Sequence, residues 1–177
     1  MEILVPLANG FEEIEAVTVI NVLRRAGMNV VTAGLPGSQI KGSRGMQVTA
    51  DTRLEQVDPS KFDAIILVGG NPGYINLGRS NKILDMVVKF NLDKKLIGAI
   101  CAAPSILAQA GILEDRAATI YPGMEREIPR PKGKRVIQDD NIITSQGPGT
   151  AMEFALKIVE TVAGKDKVKL LKEQLVY

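Results

Sequence analysis

Cys101 is the only cysteine in a 177-residue chain that contains no histidine. It lies in LIGAICAAPSILAQAG (96–111), where an apolar, strand-like run gives way to a helix-like one. A thiol at such an elbow is a candidate nucleophile. With a helix starting near Ala102, its sulfur would face unpaired N–H groups and the positive end of the helix dipole, both of which favour the thiolate. Gly98, Ala99, Ala102 and Ala103 are small enough to let a ligand approach the backbone closely. The competing assignment is a buried structural cysteine, since free thiols are among the most buried side chains. Cysteine nucleophiles usually borrow a histidine as base, and this one cannot.

A proton carrier must therefore come from another residue type. Projecting residues 11–27 at about 100° per residue places Val19, Val22, Leu23 and Ala26 on one apolar face, with Glu15 inside it. A carboxyl among core positions is unusual, and burial would raise its pKa and keep it protonated. Glu13 projects away from that face with Arg24. An acidic first turn at a helix N-terminus suffices to account for Glu12 and Glu13. In LVGGNPG (67–73) two glycines follow a strand-like run, so the backbone can turn tightly and aim N–H groups into a cleft. The N–H of Gly70, with that of Ala102, could form an oxyanion hole beside Cys101. A similar turn, SQGPGT (145–150), could close another edge of the same cleft.

These residues need a scaffold, and the chain supplies short apolar runs alternating with amphipathic stretches. Strands are predicted at 2–7, 28–34, 62–70 and 94–101, and helices at 12–27, 81–93, 103–111 and 148–164. A strand pair flanks a turn at Asp139–Asp140. Continuous apolar strands separated by helices imply a mainly parallel sheet covered on both faces, whose ligands bind beyond the carboxyl ends of the strands. The segment 121–135 carries three prolines and a run of basic side chains, and reads as a solvated loop.

The bulk numbers set the outer bounds. Hydrophobic content is 45% and charged content 24%, as in an ordinary globular protein, and the length suits one domain over residues 1–177. A net charge of +2 is too small to imply a nucleic-acid partner. One cysteine excludes an intramolecular disulfide, and the missing histidines exclude Cys-His zinc sites. No signal peptide or apolar span of membrane length is visible, so a cytoplasmic location is expected.

Together GFEEIEAV, LRRAG, GSRG, LVGGNPG, AICAAPS and TSQGPGTAMEFALKIVE resemble the ThiJ/PfpI superfamily, in the family's order, from about residue 2 to 170. The match is best with the branch that holds the Parkinsonism-associated protein deglycase and the YajL-type stress chaperones. The resemblance implies a flavodoxin-like α/β/α sandwich, a homodimer and no cofactor. It places the reactive cysteine on Cys101, its protonated partner carboxyl on Glu15, and the backbone donors on Gly70 and Ala102. Arg44, Asn71, Tyr121, Gly147 and Pro148 become candidate substrate or dimer contacts. Three departures stand out. Tyr121 occupies a place where relatives often have histidine. Gly42 and Thr49 stand in the region where some carry accessory cysteines. Ala102 replaces the histidine that follows the nucleophile in the protease-like branch, which disfavours peptidase chemistry. Two functions fit: a cofactor-independent glyoxalase or deglycase acting on reactive dicarbonyls or glycated proteins, and a redox-sensing stress chaperone for misfolded proteins whose Cys101 is oxidised to sulfinate.

Overall fold

The computed structural model describes residues 1–177, and its organising element is a seven-stranded sheet. Its strands are β1 (Glu2–Ala8), β2 (Asn29–Leu35), β5 (Thr52–Arg53), β6 (Ala64–Leu67), β7 (Leu96–Ile100), β8 (Val136–Asp139) and β9 (Ile142–Ser145). The order is β5-β2-β1-β6-β7-β9-β8, and every pairing is parallel except β8 with β9. A separate hairpin, β3 (Gln39–Lys41) with β4 (Gln47–Thr49), stands beside it. The helices are α1 (Glu13–Arg25), α2 (Gly73–Gly78), α3 (Asn81–Leu92), α4 (Pro104–Gln109) and α5 (Ala151–Leu175).

The central strands AIIL and LIGAI are buried at every residue, which is why both read as unbroken apolar runs rather than alternating ones. Their side chains still alternate between faces. Ile3, Val5, Ile66 and Ile100 pack against Val19, Val22 and Leu23 of α1 and Phe154, Ile158 and Val159 of α5. Leu4, Ile65, Leu67 and Ile97 face Ile83, Met86, Val87 and Phe90 of α3 and Ile106 and Leu107 of α4. Each such side chain contributes roughly 1.5–3 kcal/mol of burial, so the two cores hold the sheet as a rigid floor.

The five longer parallel strands follow the order 2-1-3-4-5 of flavodoxin-like folds, with the topological switch point between β1 and β6. Chain connections leave this point in opposite directions and open a crevice at the carboxyl ends. The segments entering it are those after β1, β6, β7 and β9, which carry the candidate residues other than Arg44, in the β3–β4 turn, and Tyr121, after α4.

The predicted elements are present, and the structure adds three that sequence patterning did not indicate: the β3–β4 hairpin, the edge strand β5 and the short helix α2. The last helix also runs past its predicted end at Gly164. That glycine adopts φ 82° and kinks the helix, which then continues to Leu175. No helix is long and apolar enough to cross a membrane.

Candidate active site

Cys101 follows the last residue of β7 and adopts φ 65°, a left-handed conformation costing of order 1–3 kcal/mol for a non-glycine residue. Hydrogen bonds on both sides of the residue hold it there. Its N–H donates to the Ser145 carbonyl at 2.9 Å, and its carbonyl accepts the Tyr121 N–H at 2.8 Å. The side chain is 8% exposed, at the floor of a cleft of about 490 Å³. This is the geometry of a nucleophile elbow, in which strain presents one side chain to solvent above the sheet.

Glu15 lies beneath the sulfur, from the first turn of α1, with no solvent exposure. Its Oε2 accepts the Gly69 N–H at 2.8 Å, and its Oε1 has no hydrogen-bond partner. The turn is built by Glu12, the N-cap of α1, whose carboxylate accepts the Glu15 N–H at 2.7 Å. The Glu12 N–H donates in turn to the Gly69 carbonyl at 3.0 Å, locking the segment after β1 onto the segment after β6. Close packing demands glycine there: a Cβ on Gly69 would lie 2.6 Å from the Cys101 Cβ, and one on Gly70 would collide with the Glu12 backbone.

Burial dominates the electrostatics of the pair. It raises the Glu15 carboxyl to about 7, against the Gly69 N–H and the contact with Cys101, while Glu12 adds to the rise. Burial likewise pushes the Cys101 thiol up to about 12, reinforced by the charge of an ionised Glu15 and the contact with its carboxyl. The N–H groups of Ala102 and Gly70 act on the sulfur in the opposite sense. The sequence had suggested a thiol lowered by a helix starting at Ala102. Instead α4 begins at Pro104 and is only six residues long, so it offers little dipole. Burial of the thiol acts whether or not Glu15 is ionised. When Glu15 is protonated the repulsion vanishes, and its O–H can donate to a thiolate. The ionisation of each of the two groups therefore bears on that of the other.

Besides Cys101 and Ala102, the cleft is lined by Glu12, Ser43, Arg44, Gly70, Asn71, Tyr74, Tyr121, Met124 and Pro148. The structure therefore brings together all the candidate residues except two. Glu15 lies behind the sulfur rather than on the wall. Gly147 is buried behind Tyr121, whose ring would lie 3.3 Å from a Cβ at that position. Tyr74, Met124 and Ser43 were not anticipated. Tyr74 sits on α2, whose helical character the Gly-Pro-rich stretch around it conceals.

Glu13 requires a correction. It is not solvent-facing but 7% exposed, because the loop between β3 and β4 packs over the outer side of α1. Its Oε1 accepts the N–H groups of Arg44 (2.7 Å) and Met46 (3.3 Å), and its Oε2 accepts the Ser43 hydroxyl (3.1 Å). Burial alone would raise its pKa. The N–H of Arg44, its own N–H, the Ser43 hydroxyl and the Met46 N–H outweigh that and hold it below the usual range.

The fold and the elbow define a class of protein: flavodoxin-like sandwiches with a cysteine above the carboxyl edge of the sheet. The profile of the DJ-1/PfpI family matches residues 1–161, and the chain belongs to that family. It is 45% identical to Protein dj-1beta of Drosophila melanogaster, over 94% of this chain and 91% of that protein. It is 41% identical to Protein DJ-1 homolog B of Arabidopsis thaliana over 99% of this chain, but spans only 41% of that protein. A Caenorhabditis elegans relative named Glutathione-independent glyoxalase DJR-1.2 is 37% identical over 93% of this chain and 89% of its own length. Among solved structures, oxidized Toxoplasma gondii DJ-1 superposes with a TM-score of 0.96 at 38% identity, covering 99% of this chain and 98% of that one.

Proposed function

We propose that the protein is a cofactor-independent glyoxalase- or deglycase-type enzyme that converts reactive dicarbonyls to 2-hydroxy acids, methylglyoxal to lactate being the simplest case. The observation that carries this reading is the wholly buried Glu15 carboxyl beside the Cys101 sulfur, at an elbow held in a strained conformation. The C. elegans relative's name adds support for the reaction class.

In this reading the Glu15 carboxylate takes the thiol proton as the sulfur adds to the aldehyde carbon. An S–C bond forms, the C=O π bond opens, and the Gly70 and Ala102 N–H groups hold the developing oxyanion until Glu15 returns the proton. The resulting hemithioacetal carries an acidic C–H between sulfur and ketone. Glu15 removes that proton and the neighbouring carbon is reprotonated, leaving a thioester of the 2-hydroxy acid. Water cleaves the S–C bond, releasing the acid and restoring the thiol. Methylglyoxal plus water equals lactic acid, so no external oxidant or reductant enters. Arg44, Asn71 and Tyr121 supply substrate contacts from the walls. The protein acts as a cytoplasmic homodimer in this proposal, joined through the exposed apolar residues Ile14, Val17 and Met46.

Direct measurement of methylglyoxal loss and lactate formation tests the reading, with Cys101→Ser and Glu15→Gln as companions. Activity in the wild type that both substitutions remove is the expected result. Equal rates in wild type and Cys101→Ser would sink it.

A second reading is a redox-sensing chaperone that protects misfolded proteins. A protonated Oε1, which lacks any other partner, could donate to an oxygen added to the sulfur, and the similarity to an oxidized DJ-1 structure favours this alternative. It gains if peroxide adds two oxygens to Cys101 while the wild type turns nothing over.

A further inference from the structure

Glu13 has no part in the chemistry just described, yet it is one of the few buried charged side chains of the molecule. All three of its external hydrogen bonds go to one five-residue turn, between the two strands of the hairpin. Gly42 opens that turn, and a Cβ there would collide with the Glu13 carboxyl, so loop and carboxylate are fitted to one another. The loop closes on itself through Gly42 N–H to the Met46 carbonyl (2.8 Å) and Gly45 N–H to the Gly42 carbonyl (3.1 Å). It is anchored to the segment after β1 by the Ser43 N–H, which donates to the Phe11 carbonyl at 2.8 Å.

Two side chains of this loop, Ser43 and Arg44, line the cleft over Cys101. Arg44 is the only cationic residue on the cleft wall, and it takes part in none of the ion pairs of the molecule. An unpaired guanidinium at the rim of a narrow cleft raises the local concentration of anions and orients them for attack. The other charged groups at that end of the site, Glu12 and Glu15, carry the opposite sign. Any preference of the cleft for anions therefore depends on where Arg44 is held.

We infer that Glu13 is a positioning residue, which clamps the 42–46 loop so that Arg44 stands over Cys101 and gives the cleft a preference for substrates bearing a negative charge beside the reacting carbonyl. The substrate class is thus an α-oxoaldehyde or related carbonyl with a carboxylate or other anionic group. This rests on the proposed reading in taking the Cys101 cleft as the reaction site, but its test needs no turnover.

Alkylation of Cys101 by iodoacetate and by iodoacetamide compares an anionic with a neutral reagent at the same sulfur. The ratio of the two rates cancels changes in thiol reactivity to first order. Arg44→Gln should lower the iodoacetate-to-iodoacetamide ratio by on the order of threefold, the worth of one nearby, partly screened charge. Glu13→Gln should lower it comparably, and the double variant should go no lower than Arg44→Gln alone. A ratio unchanged by Arg44→Gln overturns the inference. A ratio lowered by Arg44→Gln but not by Glu13→Gln overturns the positioning role. If Glu13→Gln does not fold, Ser43→Ala, which removes one of the three clamping donors, should give an intermediate ratio, and a wild-type ratio there overturns the clamp. If the enzyme proves active, 4,5-dioxopentanoate, an α-oxoaldehyde that carries a carboxylate, should show a raised KM with kcat held in Glu13→Gln. Absence of turnover defeats the enzyme reading and leaves the alkylation result intact.

Discussion

The carboxyl of Glu15 accepts the backbone N–H of Gly69 at 2.8 Å, joining the first helix to the end of β6 across the switch point of the sheet. The bond fixes one carboxyl oxygen and leaves the other buried without a partner. A group placed this way is buried whether or not it carries charge, and its ionisation is correspondingly costly.

That cost should be visible in stability. The folded state raises Glu15 from an ordinary 4.5 to about 7, so the native protein binds the proton more tightly than the unfolded chain. Stability from this group is complete below pH 4.5, declines between 4.5 and 7, and is lower by ~3 kcal/mol above pH 7. Denaturant titrations across pH 4–8 should show this decline in the wild type and its absence in Glu15→Gln. Parallel curves for the two proteins would refute the assignment.

The same proton should shape the rate. If Glu15 must accept the thiol proton, kcat/KM for methylglyoxal rises with pH through an apparent pKa near 7, and Glu15→Gln loses the rising limb. Removing a positioned acid–base group costs roughly 10²–10⁴-fold. A variant that keeps both the limb and the rate would show that the proton travels by another route.

Gly69→Ala tests the packing behind the nucleophile. Its new Cβ would stand 2.6 Å from the Cys101 Cβ and 3.0 Å from the sulfur, and 3.1 Å from Glu15 Oε2. The chain must shift, at a cost of about 1–3 kcal/mol, and the pair separates. Thermal unfolding and iodoacetamide labelling should both register the change, and wild-type values in both would mean the gap closes without moving the sulfur.

Glu13→Ala should cost about 1–3 kcal/mol, since three loop donors lose one acceptor. Because folding holds the Glu13 pKa below its ordinary value, the contribution is present above that ordinary range and is lost as pH falls through the lowered folded value. Unfolding free energies of the two proteins should therefore converge in acid, whereas a constant gap would point to packing alone.

Much of the site was legible because its residues violate local expectation. Glu15 stands on an apolar helical face, and Cys101 and Gly70 end runs that are otherwise strand-like. Glu13 was illegible for the converse reason. A helix projection knows only the sheet beneath α1, whereas Glu13 is covered by a turn about thirty residues away, between three-residue strands too short to show periodicity. The sulfur's environment was likewise hidden: AICAAPS reads as a strand running into a helix, but three residues of turn intervene before Pro104. The kink at Gly164 concealed the second half of α5 by resetting the helical phase there.

The unpartnered Oε1 of Glu15 also makes the molecule its own spectroscopic probe. A protonated carboxyl without a strong acceptor has a carbonyl stretch displaced from those of solvated acids. Surface carboxyls are ordinarily ionised well before neutrality. The chain holds no histidine whose titration could overlay the signal near pH 7. An infrared difference spectrum across that range would thus follow a single proton in the native protein, and shifts on alkylating or oxidising Cys101 would report how the sulfur changes its neighbour.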